Sequence, residues 1–417
     1  MEGSPAAPPV ADPRDGVETS EETDEEASCS SQPGDPEELE QKHLTDVCLS
    51  FVHYYVAAMK ELKRTGAQLA AIKPAERALI NMPDLVQQAE KARQLVHLNQ
   101  KFLQMLVMEN PVIRPFVGQD KQTGLLFCNG KESSEARAER NTSKVRSTLR
   151  QFVRDWAVEG AGERERCYGP LLTALEKYVP KEKFMRGNRP PKVMCPGSGL
   201  GRLPFEVVRR GYESQGNEFS YHMLLGSQMI LNCSQFPLQF EIYPFVLGLG
   251  QRRGAHDHLA GVRVPDVAPG QALMGIDPPD LFSMAAGEFV EVYESEENRE
   301  AWDAVLSAFF VDTAKNIVMY IRCIAGMIRP GGLFANLGPL LYHYAEMPEE
   351  MSLELSWEEV KPLLEQYFTI VETKEDHDAS YTTNPACFSH IQYHCVFFAA
   401  IRNDVPVEGQ SNPVFQD

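Results

Sequence analysis

Three glycines at alternate positions, Gly197, Gly199 and Gly201, stand between an apolar run (Val193, Met194, Cys195) and a helix-like segment, Leu203 to Arg210. This order reads as strand, tight turn and helix. Glycine suits such a turn because it tolerates positive φ and, lacking Cβ, lets the backbone approach a ligand closely. A second run ends in Gln215-Gly-Asn-Glu218, which puts Glu218 21 residues after Gly197. Nucleotide-binding folds hold a ribose-binding acid at about that interval. The chemistry indicated is an adenosine cofactor site. G-x-G-x-G is the spacing that S-adenosylmethionine enzymes favour, whereas a dinucleotide fingerprint needs glycine where Arg202 stands. Ser198 has Pro196 and Leu200 at the places where a hydrolase elbow has glycines, so serine nucleophile chemistry is unsupported. His256-Asp257-His258 offers metal-ligating residue types, but no further ligand follows at suitable spacing and no metal is expected.

The turn needs a framework to hold it. Apolar residues recur at helical intervals through Leu44, Val47, Phe51, Tyr54, Tyr55, Met59 and Leu62, and again from Leu85 to Leu106. These predict two long amphipathic helices forming a cap over 39–107. Residues 109–140, rich in Pro, Gly and charge, read as a linker or partner-facing loop. Helices are expected over Val145–Ala157, with Gln151 and Arg154 sharing a face beside the apolar stripe, and over Tyr168–Tyr178. After Glu218 an apolar helix runs to Leu231, and 233–280 interrupts the alternation. Strand and helix signals then resume: a segment from Phe282, a strand Trp302–Val311, a helix Thr313–Ile328, a turn Arg329–Gly332 and a strand Leu333–Leu337. A helix Trp357–Tyr367 and strands Phe368–Thr373 and Tyr393–Ile401 complete the chain. The fold class expected is α/β, a mostly parallel sheet with one antiparallel edge.

Composition restricts the partners. The chain has 417 residues, 43% hydrophobic and 24% charged, and a net charge of −19. Residues 1–40 carry thirteen Asp and Glu against Arg14 alone, a net −12 that leaves −7 for the rest. The body is mildly acidic, so neither nucleic acid nor an anionic membrane is an expected partner. Nine cysteines lie scattered without a C-x-x-C pair, which fits free thiols in a reducing compartment. No apolar run is long enough to span a bilayer and no signal peptide is read. The expected location is cytosolic, with nuclear entry open. The organisation expected is a disordered acidic tail over 1–38, a helical region and linker over 39–140, a catalytic domain over 141–405 with its insertion at 233–280, and a flexible tail over 406–417.

Several segments together resemble one family. Met194-Cys-Pro-Gly-Ser-Gly-Leu-Gly-Arg-Leu203, Gln215-Gly-Asn-Glu-Phe-Ser220, Phe310-Val-Asp-Thr-Ala-Lys-Asn316 and Asn336-Leu-Gly-Pro-Leu-Leu-Tyr-His343 are similar to the carnosine N-methyltransferases, as are Gln151-Phe-Val-Arg-Asp-Trp156 and Tyr243-Pro-Phe245. The likeness spans about 145–402. It implies a class I methyltransferase fold, Rossmann-like with seven strands, and an added amino-terminal helical part. It also implies S-adenosyl-L-methionine as cofactor and carnosine (β-alanyl-histidine) as substrate, methylated on the imidazole π nitrogen to give anserine. By this resemblance Gln151 and Arg154 would hold the cofactor's carboxylate end, Gly197 would face its methionine part, Glu218 would bind the ribose and Glu288 with Phe289 the adenine, with Gly199 also at the cofactor. Asp312, His343, Tyr381 and Tyr393 fall at the substrate positions, with Asp312 and His343 taken as catalytic. Glu288 stands where the family has Asp, and 384–390 departs from the family pattern.

Residue types agree with these roles. Arginine offers a planar fork to a carboxylate, and an ionised glutamate accepts from a diol. Without the resemblance, Asp312 before Thr313 also reads as a helix N-cap, His343 as a core histidine and Tyr393 as packing. Alternative functions are a methyltransferase acting on another histidine-containing peptide or protein, a non-catalytic scaffold that keeps the cofactor fold, and, more remotely, a nicotinamide oxidoreductase. A homodimer through the helical cap is a further expectation.

Overall fold

The computed structural model describes residues 36–129, 142–276, 278–382, 384 and 386–407. The expectations for the acidic tail before residue 36, the charged stretch 130–141 and the tail from 408 lie outside these residues.

The central strand is β1 (Lys192–Pro196), and four of its five residues are buried. That burial is why Val193 to Pro196 are apolar in succession and do not alternate. β1 pairs in parallel with β2 (Glu213–Glu218) on one side and β4 (Trp302–Ala308) on the other. β3 (Phe282–Ala286) extends the sheet beyond β2, and β5 (Ile328–Gly338) beyond β4, both in parallel. β7 (Gln392–Arg402) then runs antiparallel between β5 and the edge strand β6 (Phe368–Ser380). The resulting order, β6-β7-β5-β4-β1-β2-β3, is the class I methyltransferase sheet. Ligands of such sheets bind outside the carboxyl ends of the parallel strands, and the residues of interest gather there.

Helices cover both faces: α3 (Thr142–Trp156), α4 (Ala161–Tyr178), α5 (Arg202–Arg209), α6 (Tyr221–Cys233), α7 (Ile317–Met327) and α8 (Trp357–Tyr367). Ser356 starts α8 with a capping box completed by Glu359, which satisfies amide donors that the first turn leaves over. Two long helices precede them, α1 (Pro36–Ala71) and α2 (Met82–Met105). Their apolar stripes merge with α3 and α6 into one core containing Phe51, Leu95, Phe102, Phe152 and Ile230. Two buried amide side chains inside this cap bond to the backbone. Gln100 accepts from the Tyr55 amide at 2.8 Å and donates to the Phe51 carbonyl at 3.0 Å. Asn99 accepts from the Tyr243 amide at 2.8 Å and donates to its carbonyl at 2.9 Å. The cap is therefore fastened to the insertion after α6.

Several boundaries differ from the sequence reading. Residues 117–119 and 126–128 pair as a short hairpin within the stretch expected as a loop. β6 extends to Ser380, seven residues beyond Thr373; its outer half, Glu372–Asp378, is polar and mostly exposed, so no apolar alternation announces it. β4 stops at Ala308 and α7 starts only at Ile317, with Asn316 as its N-cap, accepting from the Val318 amide at 3.0 Å. Asp312 is consequently not a helix cap and sits in a single 3-10 turn, Val311–Thr313. The turn expected at Arg329–Gly332 lies inside β5, with Gly331 at φ +81°.

Candidate active site

The glycine turn has the conformation its spacing requires. Gly197 and Gly199 lie at φ +59° and +54°, where a Cβ is disfavoured. A Cβ on Gly197 would also meet the Phe310 ring at 2.7 Å, and one on Gly199 would meet Gln151 Nε2 at 3.3 Å. The Gly199 amide donates to Glu218 Oε2 at 2.7 Å, while Glu218 Oε1 accepts from the Phe219 and Ser220 amides, each at 2.9 Å. The Ser198 hydroxyl donates to the Asn217 carbonyl, a structural use that leaves no nucleophile. Arg202, in the place of a third dinucleotide glycine, grips the insertion through Asp266 at 2.6 Å and the end of α3 through the Asp155 carbonyl at 2.7 Å. Trp156 Nε1 donates to the Leu200 carbonyl at 3.0 Å. These bonds press the end of α3 against the turn, and so bring Gln151 and Arg154 to it.

On α3, Gln151 Nε2 donates to Asp155 Oδ2 at 3.1 Å, and Tyr168 donates to Asp155 Oδ1 at 2.9 Å. Arg154 is 5% exposed. Its Nη1 donates to the Tyr168 hydroxyl at 3.0 Å and its Nε pairs with Glu163 at 2.8 Å. The guanidinium lies 4.6 Å from the Tyr381 ring centre and 5.7 Å from that of Phe309. Burial opposes its charge, but Tyr168, Asp155 and Tyr381 outweigh that and hold its pKa well above the ordinary value. Nη2 is buried without a hydrogen-bond partner among the described residues.

Glu288 and Phe289 follow β3. The Gly287 amide donates to the Glu218 carbonyl at 3.0 Å, which brings the two acids to adjoining strand ends. Glu288 Oε2 caps the short helix Phe289–Tyr293 through the Glu291 amide, and Oε1 accepts from Tyr320 at 3.3 Å. Burial raises its pKa. Phe289 packs edge-on against Phe310 and Tyr320, and these two stack at 4.8 Å.

Asp312 is 1% exposed. Its Oδ2 accepts from the Leu341 amide at 3.0 Å and its backbone carbonyl from the His343 amide at 3.1 Å. Oδ1 is buried with no hydrogen-bond partner among the described residues. Burial raises the carboxyl's pKa, opposed by His343 and the Leu341 amide. His343 is half-buried and so not a core residue. Tyr393 packs on Phe309 at 5.8 Å, and Tyr381 on the same ring at 4.9 Å. The Tyr393 hydroxyl is raised in pKa first by burial and then by Asp312. Phe309, Tyr342 and Thr382 are non-glycine residues at φ +54°, +54° and +48°. Each such conformation costs about 1–3 kcal/mol and persists only where the surroundings enforce it.

The residues expected at the cofactor and substrate thus gather around the carboxyl ends of β1 to β5. Residues missed there include Asp155, Glu163, Tyr168, Phe309 and Tyr320. Asp155 sits inside the Gln151–Trp156 motif and could have been noticed; Glu163 and Tyr320 carry no local signal. His256 and His258 face other side chains. His258 is buried beside Arg252 at 2.8 Å, with a pKa lowered to about 4 chiefly by burial, and His256 faces Asp84 at 3.5 Å.

Residues 131–404 match the family profile described as Carnosine N-methyltransferase. A mouse protein named carnosine N-methyltransferase is 37% identical over 87% of this chain and 87% of its own length. Its rat counterpart is 35% identical over 94% of this chain and 97% of its own length. A fission yeast (Schizosaccharomyces pombe) protein of the same name is 40% identical over 55% of this chain and 61% of its own. With the sheet order and the matched motifs, these likenesses establish that the chain belongs to the carnosine N-methyltransferase family.

Proposed function

We propose that this protein is an S-adenosylmethionine-dependent N-methyltransferase that methylates the imidazole π nitrogen of carnosine to give anserine. The observation that carries the reading is Asp312 Oδ1, a buried carboxylate oxygen without a partner among the described residues. Such an atom is costly to keep unless a ligand supplies a donor.

Two features fit the cofactor. Arg154 Nη2 is an unspent buried donor for a carboxylate, and the turn at Gly197 and Gly199 has no Cβ to obstruct a ligand. Gln151 and Arg154 would hold its carboxylate end, Glu218 its ribose, and Glu288 with Phe289 its adenine. S-adenosylmethionine, when bound, supplies a methyl group on a sulfonium sulfur. Asp312 accepts the hydrogen of the imidazole τ nitrogen, which fixes the tautomer and leaves the π lone pair available. Neutral imidazole is already a good nucleophile near pH 7, so the chief task of the side chains is alignment. Methylation makes the ring cationic, and the Asp312 carboxylate stabilises that charge. The ring returns to neutrality when the τ proton leaves to Asp312 or to water. His343, Tyr381 and Tyr393 bind and orient the dipeptide.

A decisive test is incubation with S-adenosylmethionine and carnosine, followed by mass spectrometry for product heavier by one methyl. Anserine that is lost in Asp312→Asn and His343→Ala is the expected result. Tight cofactor binding with no methylated histidine dipeptide would overturn the reading.

None of the described cysteines forms a disulfide, which supports a cytosolic site of action. No helix among the described residues is long and apolar enough to cross a membrane. A homodimer through the helical cap is the assembly we propose, supported by exposed Val56, Val86 and Leu98; analytical ultracentrifugation reads it directly.

A further inference from the structure

Glu163 lies on α4, outside every motif, yet it joins the two halves of the site. One of its oxygens, Oε1, pairs with Arg154 Nε at 2.8 Å and also accepts from the Thr382 amide at 2.9 Å. Both charged side chains are nearly buried, at 5% and 9% exposure, so their attraction is little screened by water. Thr382 holds φ +48° and follows Tyr381, whose ring rests on the Arg154 guanidinium. A strained threonine 219 residues away in sequence is thus tied to a glutamate that also fixes the cofactor arm. Strain of this kind needs an enforcing partner, and the Glu163 carboxylate is the enforcing partner the structure provides.

We propose that Glu163 is a positioning residue that makes cofactor and imidazole substrate bind cooperatively, by tying Arg154 to the Tyr381–Thr382 wall. The inference rests on the reading of Arg154 as the cofactor's carboxylate ligand. A carboxylate on Nη2 fixes the plane of the guanidinium. The same guanidinium is held by Glu163 and faced by the Tyr381 ring, so fixing it narrows the positions open to the wall residues. The coupling is reciprocal, because each ligand must raise the other's affinity by the same factor.

The test uses the full-length protein and S-adenosylhomocysteine, which carries the same carboxylate end and cannot react. Its Kd is measured by calorimetry with and without saturating carnosine, and the reverse titration is also made. In the wild type the second ligand is expected to bind roughly fivefold more tightly than alone, the lower end of usual coupling. Glu163→Gln keeps the shape and removes the charge; it should bring this ratio to near one. Glu163→Asp, which keeps the charge on a shorter arm, should give an intermediate ratio and serves if the Gln variant fails to fold. A merely structural role would weaken both binary complexes and leave the ratio as in the wild type; that result, or a wild-type ratio of one, overturns the proposal. Arg154→Ala tests the underlying reading separately. Unchanged S-adenosylhomocysteine affinity in that variant would remove Arg154 from the cofactor site, whatever the Glu163 variants do.

Discussion

The glutamate that ends β2 and the aspartate that follows β4 are both buried carboxylates at strand ends, and they are held in opposite ways. Glu218 has its oxygens met by the amides of Gly199, Phe219 and Ser220. Asp312 has one oxygen on the Leu341 amide and the other without a partner among the described residues. The first is a finished structural joint at the proposed ribose position. The second keeps an unfavourable buried atom, next to strained backbone at Phe309 and Tyr342. The contrast teaches that the proposed cofactor side is preorganised through satisfied bonds, whereas the proposed substrate side retains cost that only a ligand relieves.

The largest expected effect tests the aspartate. Asp312→Asn should lower kcat by about 10²–10³-fold, the usual range for loss of one charge-stabilising group, while calorimetry finds S-adenosylhomocysteine binding intact. The same variant should melt higher than wild type at pH 7.5. Burial raises the Asp312 pKa in the folded state, so the unfolded chain releases this proton more readily and stability falls as pH rises above the ordinary carboxylate value. The gain in Tm should therefore shrink as the pH is lowered towards about 4, near the ordinary aspartate pKa. Scanning calorimetry across pH checks the sign, and an Asn variant that melts lower at neutral pH would contradict the account of Asp312.

Glu218→Gln should behave in the reverse manner. An amide group would turn N–H donors towards backbone N–H donors, costing about 1–3 kcal/mol of stability and weakening cofactor binding, with a smaller change in the rate from the fully loaded enzyme. If both variants shift Tm in the same direction, the comparison fails. Gly199→Ala places a Cβ at positive φ and 3.3 Å from Gln151 Nε2. A loss of about 1 kcal/mol in stability is expected from the backbone conformation, with a raised S-adenosylmethionine KM. The smallest effect should come from Tyr393→Phe. It keeps the packing on Phe309, so a severalfold rise in carnosine KM with an unchanged cofactor KM separates a binding hydroxyl from a packing ring.

How much was legible follows from where each determinant lies in the chain. The glycine turn declared itself because its conformation is imposed locally. Taken alone, Asp312 before Thr313 reads as a helix cap, but Asn316 holds that position. The outer half of β6 gave no signal because an exposed edge strand is held by backbone pairing with β7, which asks nothing of side-chain period. Links such as Glu163 to Thr382, or Arg202 to Asp266, join distant segments through single side chains. No spacing rule reaches such pairs, since only the completed fold sets the distance between them.

The grip of Asn99 on both backbone groups of Tyr243 bears on modularity. The match to the family profile begins at residue 131, after this asparagine. Cut there, the chain would lose the Asn99 bonds to the Tyr243 amide and carbonyl, and with α1 and α2 it would lose one wall of the core around Phe152 and Ile230. The span of the family profile and the foldable unit therefore differ in extent, and the two leading helices belong to the second.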